Sequence, residues 1–229
     1  ALLFFTLALA GGEYAICALG YVAAYELFSK GEAWSARLRG LALAAAPAAL
    51  YLGAHVTLGY GAKGSVVYIG PFDNPGHFAA EALLRIPAMI ATEFVLEPGE
   101  EVYAMILLRS PKIFVGLIPI VVLIALVVDS WRRSDADGRR LLGTAGLGML
   151  LAMLPLVGTV PSVRLLLIAS FGGSALLGAI IWDSGLRLLA GRTVGAWLRA
   201  LATIPLAIWH LGHAPRLTHD YTFFWQKIV

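Results

Sequence analysis

The segment GGEYAICALGYVAAYELF, residues 11–28, places a carboxylate at each end of an apolar run: Glu13 opens it and Glu26 closes it. A run of this character belongs in lipid, where backbone polar groups must find partners within the segment, so it reads as a helix. Carboxylates at its two ends reach opposite interfaces, where charge costs far less than at the bilayer centre. Glu26 precedes a basic stretch, and Lys30 at i+4 is a ready partner for it. Glu13 draws its interest from other groups on its own side of the membrane.

The rest of the chain has the same character. Of 229 residues, 59% are hydrophobic and only 14% are charged, against about 25% charged in ordinary soluble domains. Mean hydropathy is +0.81. We expect an all-α polytopic transmembrane helix bundle of about 6–7 spans forming one transmembrane domain, since several apolar runs approach or exceed roughly 18 residues. Spans are predicted at 1–10, 14–28, 40–58, 111–128, 141–157, 165–182 and 198–212. Pro47 falls inside one of them, which neighbouring helices tolerate. The sequence starts with Ala inside an apolar run, so it reads as a fragment whose earlier spans are missing. A signal peptide would need a basic start and a small-residue cleavage site.

The stretch 59–110 differs. GYGAKGSVVYIGPFDNPG is rich in glycine and turn formers and reads as an ordered outer loop. Asp73-Asn74-Pro75 is good capping chemistry, assigned to Asp73. The following PGHFAAEALLRIPAMIATEFVLEP carries His77, Glu81, Arg85 and Glu93 among apolar residues. Glu81 and Arg85 share a helix face at i,i+4 and are expected to pair. Two readings stand for this segment. It forms one or two interfacial helices broken near Pro87, or it is a span that packs Glu81, Arg85 and Glu93 against other helices.

Basic residues set the orientation. Loops 29–39, 129–140 and 183–199 hold Lys30, Arg37, Arg39, Arg132, Arg133, Arg139, Arg140, Arg187, Arg192 and Arg199, and are expected to be cytoplasmic. Residues 11–13, 59–110, 158–164 and the tail then share the outer side. There, Glu13 faces a possible cationic set: Arg164 after Pro161, which either snorkels at a helix end or binds a phosphate or carboxylate, and Arg85 and His77 from the long loop.

Other chemistries find little support. The single cysteine, Cys17, makes an intrachain disulfide or thiolate metal site impossible. His210 and His213 lie one turn apart but lack a third ligand at suitable spacing, so no metal is expected. GYGAKGS lacks Walker spacing, no GxSxG elbow occurs, and no basic stripe with interleaved aromatics points to nucleic acid.

LALAGGEYAICALGYVAAYELF resembles a segment of GT-C-type membrane glycosyltransferases, in the O-mannosyltransferase-like branch, where a short loop carries a glutamate between two spans. APAALYLGAHVTLGYG (46–61) is similar to the next span of that branch, and PSVR (161–164) to a turn found in bacterial polytopic proteins of this layout. The likeness covers residues 1–110 loosely. It implies a bacterial inner membrane protein that transfers sugar from a polyprenyl-phosphate donor on the outer face, with membrane lipids and the missing N-terminal part of the same chain as partners. The family's catalytic acid lies in a region absent from this chain. Glu13 alone matches a family position, as a catalytic candidate, with Arg164, Arg85 and His77 as substrate- or phosphate-binding candidates. No cofactor beyond that sugar donor is implied. A transporter subunit and a non-catalytic membrane scaffold stand as alternatives.

Overall fold

Helices approach closely in this protein at glycines. A Cβ on Gly20 would fall 2.5 Å from the Ala152 nitrogen and 2.8 Å from the Leu151 carbonyl carbon. The absent side chain lets helix α2 (Ala18–Phe28) lie against the backbone of α7 (Ala136–Met153). Gly148 of α7 makes room for the Tyr21 ring. The Tyr21 hydroxyl accepts from the Gly172 N–H at 2.8 Å, and lies 2.9 Å from the Ala169 carbonyl and 3.0 Å from that of Ile168. One tyrosine thereby joins α2 and α7 to the start of α8 (Ala169–Ala190). Apolar attraction alone does not hold helices together in lipid, so small-residue contacts and interhelical hydrogen bonds must do so.

The computed structural model describes residues 2–29, 31, 33–60, 68–95, 99–108, 112–162, 165–191, 193–213 and 215–216. Nine α-helices occur among them, and no strand. The remaining six are α1 (Leu2–Gly11), α3 (Trp34–Thr57), α4 (Pro75–Val95), α5 (Gly99–Leu107), α6 (Lys112–Arg133) and α9 (Val194–Ile208). A 3-10 turn, Glu13–Cys17, leads into α2; another, Pro155–Gly158, follows α7; a π-turn, Trp209–His213, ends α9. The all-α architecture expected from composition is present. Among the described residues, four helical stretches are long and apolar enough to cross a membrane: Trp34–Thr57, Ala136–Gly158, Ala169–Ala190 and Val194–His213; Tyr14–Phe28 is a shorter apolar helix. The core gathers Met89 and Phe94 of α4, Met149 and Met153 of α7, and Leu166 and Ile180 with leucines of α6.

Three expectations need correction. Pro87 does not break the outer segment, because α4 runs continuously from Pro75 to Val95. Ala88, Met89, Ala91 and Thr92 are buried directly after it, so packing holds the helix through the missing N–H. Residues 129–140 and 183–199 are not loops. Helix covers almost all of both among the described residues, with non-helical backbone at 134–135 and at 191 and 193. Their arginines and aspartates pair with one another, which removes the reason to leave helix. Finally, the cap of α4 is Asn74, whose Oδ1 accepts from the His77 N–H at 3.0 Å; Asp73 has another place. Lys30, the expected partner of Glu26, lies outside the described residues; the Glu26 carbonyl accepts from Arg37 at 3.3 Å.

Candidate ligand-binding pocket

Helix α3 ends in a sequence-encoded stop. Gly59 takes φ 78°, a left-handed conformation that glycine adopts without strain. The Gly59 N–H then donates to Val56 O at 3.1 Å, and the Tyr60 N–H to His55 O at 3.0 Å. This paired capping pattern folds the chain back and lays Tyr60 beside His55, ring centroids 5.6 Å apart. Tyr51, one turn earlier on the same face, is 5.8 Å from His55. A short ladder of three rings results, with polar edges.

The ladder lines one side of a cavity of about 650 Å³. Tyr14 and Cys17 come from the turn before α2, Tyr68 and Asp73 from the loop before α4, and Leu156 and Thr159 from the turn after α7. The Ile69 N–H donates to Gly158 O at 2.8 Å, which pins that loop to that turn. The cavity is apolar in the main, with four tyrosines, His55 and Asp73 among its lining residues, the usual make-up of a small-molecule site. Asp73 is its single carboxylate among the described lining residues.

Behind this wall lies Arg85. Its side chain is buried, with Nε donating to Glu81 Oε2 at 2.8 Å and Nη1 to Val157 O at 2.9 Å. Tyr103 of α5 donates to the same Glu81 oxygen at 2.6 Å, and its ring faces the guanidinium at 5.2 Å. Glu81 and Arg85 therefore form the pair their spacing predicts, packed against other elements. Burial works to raise the Glu81 carboxyl, but Tyr103 and Arg85 outweigh it and hold it below the usual carboxylate range.

The other candidates are scattered. His77 is exposed on the first turn of α4. Glu13 starts the turn that carries Tyr14 into the cavity. Arg164 lies outside the described residues. His210 contacts the Phe94 carbonyl at 3.1 Å, and the His213 ring stacks on Trp209 at 4.4 Å. Among the described residues no group of three metal-ligating side chains occurs.

A polar cluster that local spacing does not announce closes the opposite end of the bundle. Arg199 of α9, 7% exposed, donates to Asp129 of α6 at 2.5 Å, Ser130 at 2.6 Å and Ser184 of α8 at 3.0 Å, and pairs with Asp183 at 2.9 Å. Arg133 and Arg187 flank the same two aspartates. Its donors and acceptors face one another, which makes it a clamp on three helices rather than an open site. Only the i,i+4 pairs within it were visible as spacing.

Comparison with family models, with characterised proteins and with solved structures gave no match.

Proposed function

We propose that this chain is a membrane-embedded, glycosyltransferase-like protein that takes a polyprenyl-phosphate sugar at the tyrosine-lined cavity, on the outer face of a bacterial inner membrane. The cavity carries the reading: about 650 Å³ of mostly apolar space with aromatic rings on one side and, among the described lining residues, one carboxylate, Asp73. Ring faces suit the apolar side of a sugar, and a carboxylate accepts from its hydroxyls.

In that reaction an acceptor hydroxyl attacks the anomeric carbon while the bond from that carbon to the phosphate oxygen breaks. The lipid phosphate leaves with the bonding electron pair. Asp73 takes the acceptor's proton as general base. Glu13 stands at the turn beside Tyr14, and Arg164 is the cation proposed to meet the leaving phosphate. The arginine-rich end carrying Arg132, Arg133, Arg139 and Arg140 faces the cytoplasm under the same reading.

Transfer from a polyprenyl-phosphate sugar to an acceptor, measured in proteoliposomes, tests it. Asp73→Asn is expected to lower transfer about 10²–10⁴-fold, the usual worth of a general base, and Glu13→Gln and Arg164→Ala to impair it. Full activity in Asp73→Asn removes the carboxylate from the mechanism. Glycolipid binding without transfer in the native protein favours a non-catalytic scaffold.

A further inference from the structure

Glu93 lies near the end of α4, directed at the first turn of α8. Its Oε2 is 2.8 Å from the Ser170 hydroxyl oxygen, which is itself 2.9 Å from the Leu166 carbonyl. Gly173 supplies the space, since a Cβ there would strike the Glu93 carboxyl. Among the described residues, no lysine, arginine or histidine is within ion-pair distance of Glu93. Its neighbours Phe94, Thr92 and Met89 are buried in the core.

The hydrogens in this chain of contacts can be counted. A hydroxyl has one hydrogen to give. If Glu93 is ionised, the Ser170 hydroxyl stands between two acceptors, a carboxylate and a carbonyl that also accepts from the Ser170 N–H at 2.7 Å, and its one hydrogen can complete only one of the two hydroxyl contacts. If Glu93 carries a proton, it donates to Ser170, Ser170 donates to Leu166 O, and both contacts are complete. A carboxylate without a cation in an apolar bundle is costly, and such groups neutralise instead. Among the described residues, the neighbouring elements offer no charge to reverse this. From α2 comes Tyr21, occupied by Gly172 N–H and by α8 carbonyls, with Cys17 beyond it. From the π-turn comes His210, engaged with the Phe94 carbonyl. From α6 come Leu123 and Leu126. Arg85, two turns earlier on α4, is taken by Glu81 and Val157.

We propose that Glu93 is a proton-binding site within the bundle, joined to α8 by a Glu93–Ser170–Leu166 hydrogen-bond chain that needs the proton to be complete. The ligand is a hydrogen ion, and the group has the chemistry of carboxyls that react with lipophilic carbodiimides. In that reaction the acid proton moves to a carbodiimide nitrogen and the carboxyl oxygen bonds to the central carbon. The resulting O-acylisourea rearranges to a stable N-acylurea, with no oxidation or reduction. Helix α4 carries this group toward one end and Arg85, which braces the cavity wall, nearer the other. Loss of the proton would therefore loosen α4 from α8 at the end of α4 away from the proposed sugar site. The inference does not depend on transfer activity, and its readouts involve no sugar.

The native protein in lipid nanodiscs is treated with dicyclohexylcarbodiimide at neutral pH, and the products are mapped by peptide mass spectrometry. Glu93 is expected to be labelled, and the labelling to fall about tenfold for each pH unit above its titration. An infrared band of a protonated carboxyl is expected at neutral pH and should vanish in Glu93→Gln, whose amide donates to Ser170 in the acid's place and keeps the native Tm. Gly173→Ala, which displaces the carboxyl from Ser170, should lower Tm and alter the band. The proposal is overturned if Glu93 escapes the reagent, if the wild-type band is missing, or if Glu93→Gln lowers Tm as much as Glu93→Ala does.

Discussion

Arg85 Nη1 donates to the carbonyl oxygen of Val157 at 2.9 Å, across 72 residues of sequence, and so fastens α4 to the turn that walls the cavity. Arg85→Ala would strip Glu81 of its hydrogen-bonded guanidinium inside a packed interface. Breaking a buried pair in this way typically costs about 3–5 kcal/mol. Arg85→Lys keeps the charge but not the guanidinium fork, so it should lie between alanine and wild type. Thermal unfolding in mild detergent gives the order, and equal Tm values for all three proteins would refute it.

Gly20 and Gly178 are both helical glycines with opposite surroundings. A methyl at 20 meets the backbone of Leu151 and Ala152, whereas one at 178 meets nothing within 4 Å. Gly20→Ala should destabilise by about 1–3 kcal/mol or more, through forced separation of α2 and α7. Gly178→Ala should stay within about 1 kcal/mol of wild type. Denaturant titrations of the two variants side by side make the comparison.

At the far end of α6, burial works to raise the Asp129 carboxyl, but the Arg133 hydrogen bond and the charges of Arg133, Arg199 and Arg187 outweigh it, leaving it below the ordinary aspartate range. The folded pKa is therefore lower than the unfolded one. The stabilisation is fully present above the unfolded value and disappears as pH falls through the folded value. Asp129→Asn should narrow the stability difference between neutral and strongly acid pH, measured as Tm against pH. An unchanged slope would mean that the arginines do not hold this carboxylate.

Orientation can be read with single cysteines in a Cys17→Ala background. Phe72→Cys, exposed at the cavity mouth, should react with an impermeant maleimide added outside intact cells. Arg132→Cys, exposed at the arginine-rich end, should react only after permeabilisation. The reverse pattern would invert the bundle and move the cavity to the cytoplasmic side.

What could be read in advance was what is local in the chain. Apolar runs located the helices because lipid leaves the backbone no alternative. The Glu81–Arg85 pair followed from i,i+4 spacing and is present at 2.8 Å. Asp73 and Asn74 are adjacent and equally able to cap, so spacing could not choose between them; the fold uses Asn74 and leaves Asp73 to the cavity. Arg199 looked like one more cation of a polar link. Its partners at Asp129 and Ser130 are about 70 residues away and appear only when three helices converge. The ring ladder was hidden for a related reason. Tyr51 and His55 are spaced for contact, but Tyr60 joins them only because Gly59 reverses the chain.

Helix α3 packs against α1 and α2, and Ala48 is its one buried residue. Yet this thinly held rod bears Tyr51 and His55 of the cavity. A small lateral swing of α3 would open a doorway facing the hydrocarbon tails instead of the water. Under the proposed reading, a lipid-linked guest would then enter sideways, its chain still in the bilayer and its headgroup raised to the rings.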